Sequence, residues 1–259
     1  MVHLTRLMQN ELMKIFLRTR TSVFFMLLLI TGFFMAFFCL FLESMSGMKE
    51  DVWGFFLTNT FLLSVVELFA LIIAAEIVSS EYAWGTFTYL CIRPVSRLKI
   101  LLSKYASVLF FLLVSVMVLA VTSVLYGWVF FGMPVQEDSM LLLMRALVIY
   151  GCKWVEMFMM VTLAFAISTL SKSNSLSIGL TLFLHFTGSF WTQLLSVFDF
   201  QWGKYLLFAN LDLRSYFFGG ILMFEGMTLS FSLVILAAYY VFFLFLAWWG
   251  FTRREMIRT

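Results

Sequence analysis

Long runs of apolar residues, separated by short polar stretches, dominate the chain. A bilayer core about 30 Å thick requires around 20 apolar residues in a helix that crosses it. Six runs meet this requirement: residues 22–42, 55–75, 101–131, 146–170, 176–197 and 229–251. The pattern therefore predicts an all-α integral membrane protein with six transmembrane helices in one domain, residues 1–259.

Two stretches outside these runs have a different pattern. Residues 4–16 place apolar side chains at helical i, i+3 and i+4 spacing, opposite a polar face that includes Arg6, Glu11 and Lys14. We expect an interfacial helix within residues 1–21, either a plain topological anchor or a lever packed beside the bundle. Residues 198–228 are too apolar for a solvated loop and too interrupted to span. They predict an interfacial helix hairpin or backbone that dips into the membrane.

Composition agrees with a membrane location. Of the 259 residues, 63% are apolar and 12% charged, at a mean hydropathy of +1.01. Soluble domains have about 45–50% apolar and about 25% charged residues. Most Lys and Arg residues lie before the first run, between the second and third, and after the last, so both termini are expected in the cytoplasm. The net charge of +3 follows from this sorting and does not indicate nucleic-acid binding.

Apart from Lys104 near the start of the third run, four Glu, Lys and His residues fall inside predicted spans. Glu67 lies near the middle of the second, Lys153 and Glu156 are one turn apart in the fourth, and His185 lies in the fifth. A charge facing lipid costs about 2.5–3.5 kcal/mol, so these side chains should face the bundle interior or a dimer interface. Lys153 and Glu156 are expected to pair. Glu67 either lines a pathway or meets Lys153, and His185 is an interhelical hydrogen-bonding residue or a proton relay.

The polar segment between the second and third spans, residues 76–104, is the most informative. Ser79 to Glu81 suit the N-cap and first turn of a short helix, and Gly85 suits a break. Ser96 suits the N-cap of the following helix, whose Lys104 we expect to project into the interface. Three aromatic residues should be exposed on the short helix: Tyr82, Trp84 and Phe87. They indicate either a partner surface or a position at the lipid headgroups.

The same segment carries a longer motif, Ser-x-Glu-x-x-x-Gly-Thr, an apolar run, Arg-Pro-Val-Ser-Arg and a later Lys. Its residues are Ser79, Glu81, Gly85, Thr86, Arg93, Pro94, Val95, Ser96, Arg97 and Lys104. This motif resembles the loop of the ABC-2 type family of ABC transporter permeases, where the loop forms a coupling helix that docks on the ATPase subunit. The resemblance implies an ATPase-coupling role for Glu81, Tyr82, Trp84, Gly85, Thr86, Arg93, Pro94 and Arg97.

The resemblance also implies a function. It implies a permease subunit of an ATP-driven exporter in a bacterial cell membrane, with a second copy or a paralogue and two separate ATPase subunits. Residues 198–228 would form re-entrant outer helices, and the substrate would be an antimicrobial peptide, a drug or a lipid.

Enzyme signatures are not found in the sequence. There is no phosphate-binding Gly-x-x-x-x-Gly-Lys-Ser/Thr and no metalloprotease or redox motif, so we expect no enzyme activity, cofactor or metal in this chain. ATP would be bound and hydrolysed by the partner. The alternative is a six-span membrane anchor or assembly protein that transports nothing. A weaker alternative is an ion-coupled carrier that uses Glu67 and Lys153, although the hydropathy shows no internal repeat.

Overall fold

The computed structural model describes residues 4–47, 49–85, 96–132, 139–198, 200–220 and 222–252. Within these ranges the secondary structure is helical, without a β-strand. The α-helices are α1 (Leu4–Phe16), α2 (Thr19–Ser46), α3 (Val52–Thr58), α4 (Leu63–Ala83), α5 (Arg97–Phe131), α6 (Ser139–Leu170), α7 (Asn174–Val197), α8 (Arg214–Phe218) and α9 (Leu229–Thr252). Short 3₁₀ turns cover Asn59–Leu62, Gln201–Tyr205 and Leu207–Ala209.

Five helical segments in the described part of the chain are long and apolar enough to cross a membrane. They are Thr19–Ser46, Val52–Ala83, Arg97–Phe131, Met140–Leu170 and Leu229–Thr252. Each coincides with one predicted apolar run. The remaining run, 176–197, does form helix α7, but it carries His185 and Gln193 among its apolar residues. A sixth crossing by α7 stays a prediction.

Helix α4 lies at the centre of the bundle. It packs against α5, α6 and α7, and most of its side chains between Leu63 and Glu81 are buried. A helix surrounded in this way is apolar on all sides, which explains why α4 has no amphipathic pattern. Helices α2 and α9 are peripheral, with exposed apolar residues such as Phe34 and Phe242, as expected of faces that contact lipid.

Helix α1 packs along α5. Of the two alternatives predicted for this segment, the lever is the one that required packing beside the bundle. Its buried residues are Leu7, Glu11 and Ile15. The assignment of Glu11 to the polar face is therefore wrong. Glu11 lies one turn from each of these apolar neighbours, and its carboxylate is buried because Lys104 of α5 neutralises it.

Residues 200–220 and 222–228 form a compact layer on α7 and α9. A Cβ at Gly188 of α7 would lie 2.3 Å from the ring of Phe208, so this layer approaches the helix backbone closely. The Tyr216 hydroxyl lies 2.7 Å from the Ser232 hydroxyl at the start of α9. Short helices therefore occur where they were expected, whereas their depth in a membrane stays a prediction.

Candidate functional site

The cytoplasmic segment predicted after the second span begins differently in the structure. Helix α4 is continuous to Ala83, so Ser79 and Glu81 lie inside a helix, and the predicted N-cap is wrong. The Ser79 hydroxyl donates to the Ala75 carbonyl at 2.7 Å, a bond within the helix that leaves it unavailable as a cap. The predicted break is confirmed at Gly85, whose φ of 69° favours glycine.

A buried charge network joins α1, α4 and α5 at this end of α4. The Lys104 ammonium is fully buried and lies 2.8 Å from Glu11 Oε2 and 2.6 Å from Glu81 Oε1. Lys14 approaches the same two carboxylates at 2.7 and 3.5 Å. Two carboxylates and two ammonium groups balance in charge, which makes their burial tolerable. The expectation that Lys104 projects into the interface is therefore wrong.

The ionisation of Glu11 reflects this network. Burial by itself would raise the pKa of the carboxyl. The charge of Lys104 and the hydrogen bonds donated by Lys104 and Lys14 outweigh burial and hold the pKa of Glu11 below its ordinary value. The charged form of Glu11 is therefore favoured in the folded protein.

A second set of ion pairs connects α4 to the start of α2. Glu76 is buried and accepts hydrogen bonds from Arg18, at 3.3 Å, and from Arg20. The Arg18 guanidinium also lies 5.7 Å from the centre of the Trp84 ring. These contacts border an open groove of about 420 Å³, lined by Leu17, Arg18, Thr19, Arg20, Glu76, Ser80, Trp84 and Asn174. We call this surface the Trp84 groove.

The residues of the predicted ATPase-coupling surface have different environments. Trp84 is 68% exposed, as expected, whereas Tyr82 is half-buried and packs against the core. Glu81 is buried in the network, so it is not a surface contact. Arg97 donates to the Thr252 carbonyl at 3.1 Å and thereby joins α5 to the end of α9. Three residues of this surface, Thr86, Arg93 and Pro94, lie outside the described residues, as does Phe87, which was predicted to be an exposed aromatic residue.

The four ionisable residues predicted within the spans form one cluster between α4, α6 and α7. Lys153 Nζ lies 2.7 Å from Glu67 Oε2 and 2.7 Å from Glu156 Oε1. His185 Nδ1 lies 3.6 Å from Glu67 Oε1. The two predicted contacts of Lys153, within its own helix and across to α4, are thus both present. Among the described residues, no group of three His, Cys, Asp or Glu side chains is placed to hold a metal ion.

Sequence reasoning missed Glu11 and Glu76 as members of charge clusters. The signal for Glu11 was its position between Leu7 and Ile15, each four residues away on the apolar face. Glu76 follows immediately after a long apolar run, and nothing in the local sequence pairs it with Arg18, 58 residues earlier.

Five apolar segments long enough to cross a membrane, one of which contains the central helix α4, define a helical multi-pass membrane protein. The chain belongs to the family described as "Protein of unknown function (DUF2705)", which it matches over residues 22–257. It is 37% identical over 218 residues to "Uncharacterized protein YhcI" of Bacillus subtilis (strain 168), covering 79% of this chain and 69% of that protein. It is 33% identical over 247 residues to "Uncharacterized membrane protein YdbK" of the same strain, covering 94% of this chain and 99% of that protein.

Proposed function

We propose that this protein is the transmembrane permease subunit of an ABC exporter in the cell membrane, with both termini in the cytoplasm. Two copies, or one copy and a paralogue, form the pathway. Separate ATPase subunits bind the segment that follows α4 and supply the energy of ATP hydrolysis. The chain itself holds no cofactor and performs no hydrolysis.

The observation that carries the proposal is the buried charge network at the end of α4, next to the loop motif. The network of Glu11, Lys14, Glu81 and Lys104 fixes the end of α4 to α1 and α5 immediately before residues 86–95. Helix α4 has 21 residues and is therefore about 31 Å long, so it extends from the loop motif through the centre of the bundle. A displacement applied at the loop would consequently move the central helix, as a coupling element requires.

Trp84 is the described residue best placed to contact a partner. A large aromatic side chain that is 68% exposed at a helix end contributes little to the stability of this chain. Such residues commonly supply much of the binding energy at protein interfaces. Leu17, which is 81% exposed, is a second apolar residue in the lining of the Trp84 groove.

The test is a pull-down of tagged protein from its native host, followed by an ATPase assay on the material that copurifies. Trp84→Ala should weaken binding of the ATPase subunit about thirtyfold or more, and so reduce the amount that copurifies, because a central aromatic anchor contributes about 2 kcal/mol or more. Trp202→Ala is the matched control, since Trp202 is 57% exposed in the layer on α7 and α9. Glu81 is unsuitable for this test because its substitution would disrupt the buried network.

If the wild-type protein copurifies with no ATPase, the proposal is wrong and a non-transporting anchor or assembly protein becomes the better description. If an ATPase copurifies equally well with Trp84→Ala, the exporter assignment survives and the docking role of Trp84 is wrong. The substrate classes carried over from the resemblance are an antimicrobial peptide, a drug or a lipid.

A further inference from the structure

The charge count of the intramembrane cluster does not balance. Glu67 and Glu156 supply two carboxylates, and Lys153 supplies one ammonium that contacts both at 2.7 Å. With a neutral imidazole at His185, one negative charge remains uncompensated within the bundle. This differs from the network around Lys104, where two ammonium groups face two carboxylates.

Glu67 is the most deeply buried member of the cluster. Its side chain is 1% exposed. Lys153 Nζ lies 2.7 Å from Oε2, whereas Oε1 accepts no hydrogen bond from the residues that the structure describes. The Oε1 atom points toward His185 Nδ1 at 3.6 Å. A buried carboxylate with unused acceptor capacity is unfavourable unless a further positive charge or donor reaches it.

Among the residues that the structure describes, the surrounding elements offer one further cation, and it is already paired. Arg214 of α8 donates to Asp212 at 3.0 Å, and that pair is about half exposed on the layer over α7. The charged groups facing the cluster are thus Glu67 from α4, Lys153 and Glu156 from α6, His185 from α7, and the Arg214–Asp212 pair, of which Arg214 also attracts the two carboxylates from a greater distance.

We propose that this cluster is a binding site for one exchangeable proton, held jointly by Glu67, Glu156 and His185 beside Lys153. The bound proton makes the cluster electrically neutral, and it belongs to the coupled group rather than to one residue. Binding adds a proton from water to a carboxylate oxygen or to the imidazole, and release returns it to water. Glu156 and His185, at 19% and 18% exposure, are the members of the cluster nearest the surface of the bundle, where the proton would be exchanged.

The inference is independent of the proposed exporter function. It rests on charge, distance and burial within one protomer, and it requires no ATPase subunit. A protein that fails to copurify with an ATPase would still bind the proton.

The experiment is a differential acid–base titration of purified wild-type protein and Glu67→Gln between about pH 5.5 and 9.5. An amide at position 67 removes the excess negative charge, so the site no longer needs a proton. Wild-type protein is expected to release one proton more than Glu67→Gln across this range. The matched control is Glu225→Gln, which removes an exposed carboxylate from the layer on α7 and α9 and should leave the wild-type curve unchanged.

Superimposable curves for wild type and Glu67→Gln would overturn the proposal, because the cluster then exchanges no proton in this range. Glu156→Gln provides a second variant if Glu67→Gln aggregates, since either amide removes the same excess charge. A thermal-denaturation series gives an independent readout. As the pH rises and the proton is lost, wild type should lose thermal stability while Glu67→Gln should not. Parallel pH profiles for these two proteins would also contradict the proposal.

Discussion

Replacement of Lys104 by methionine should destabilise the protein more than most single substitutions. Lys104 is fully buried, and its ammonium contacts Glu11 Oε2 at 2.8 Å, Glu81 Oε1 at 2.6 Å and the Ile77 carbonyl at 3.3 Å. Methionine fills a similar volume but leaves two buried carboxylates facing each other. Only Lys14, whose side chain is 51% exposed, then remains near them.

The expected loss is about 3–5 kcal/mol, the usual effect of removing one partner from a buried ion pair. For a chain of this size each kcal/mol corresponds to roughly 2–4 °C in the midpoint of thermal unfolding. Lys104→Met should therefore lower the midpoint by roughly 6–20 °C near neutral pH. Lys104→Met combined with Glu11→Gln and Glu81→Gln should recover most of this loss, because no unpaired carboxylate remains.

The assay is the fraction of monodisperse protein that survives heating in detergent, measured by size-exclusion chromatography. Lys99→Met is the matched control, since Lys99 is an exposed lysine five residues before Lys104 in α5. A shift of less than about 3 °C for Lys104→Met would refute the reasoning, because the buried network would then contribute no more than a surface pair. A triple variant less stable than Lys104→Met would contradict the charge argument specifically.

Three further predictions test other contacts. Glu11→Gln should lower the midpoint of thermal unfolding near pH 7. The difference from wild type should shrink as the pH falls below about 4, because the pKa of Glu11 is depressed in the folded state and its contribution to stability is lost on protonation. Equal differences at pH 3 and pH 7 would disprove this. Gly188→Ala should cost about 1–3 kcal/mol because the Phe208 ring must move, whereas Gly179→Ala in the same helix has open space and should be neutral or stabilising by thermal melting. Asp51→Ala should cost about 1 kcal/mol in the same assay, because the Asp51 carboxylate caps α3 at 2.8 Å.

The positions of the long helices could be predicted because they depend on local apolar content. All five segments that can span a membrane coincide with apolar runs, and the amphipathic pattern of residues 4–16 coincides with α1. The first and last residues of the long helices were less predictable. The run predicted as 55–75 ends eight residues before α4 does, because Glu76 and Glu81 are neutralised by distant partners and can remain in a buried helix.

The candidate sites could be predicted only where their members lie in one helix or were conspicuous as charges in apolar runs. Lys153 and Glu156 are one turn apart, and Glu67 had no compensating charge in its own helix, so a meeting with Lys153 could be anticipated. The contact between Glu11 and Lys104 spans 93 residues. Such a pair depends on how three helices pack, which no local pattern records.

This separation along the chain also bears on the order in which the protein is assembled during synthesis. Glu11 leaves the ribosome 93 residues before Lys104, the buried one of the two cations that neutralise it in the finished protein. Until α5 has been made, Glu11 has only the half-exposed Lys14 as its partner, and α1 lacks the helix on which it packs. Helix α1 therefore reaches its final position only after α2, α3 and α4 have been synthesised, and its docking marks the completion of the first half of the bundle.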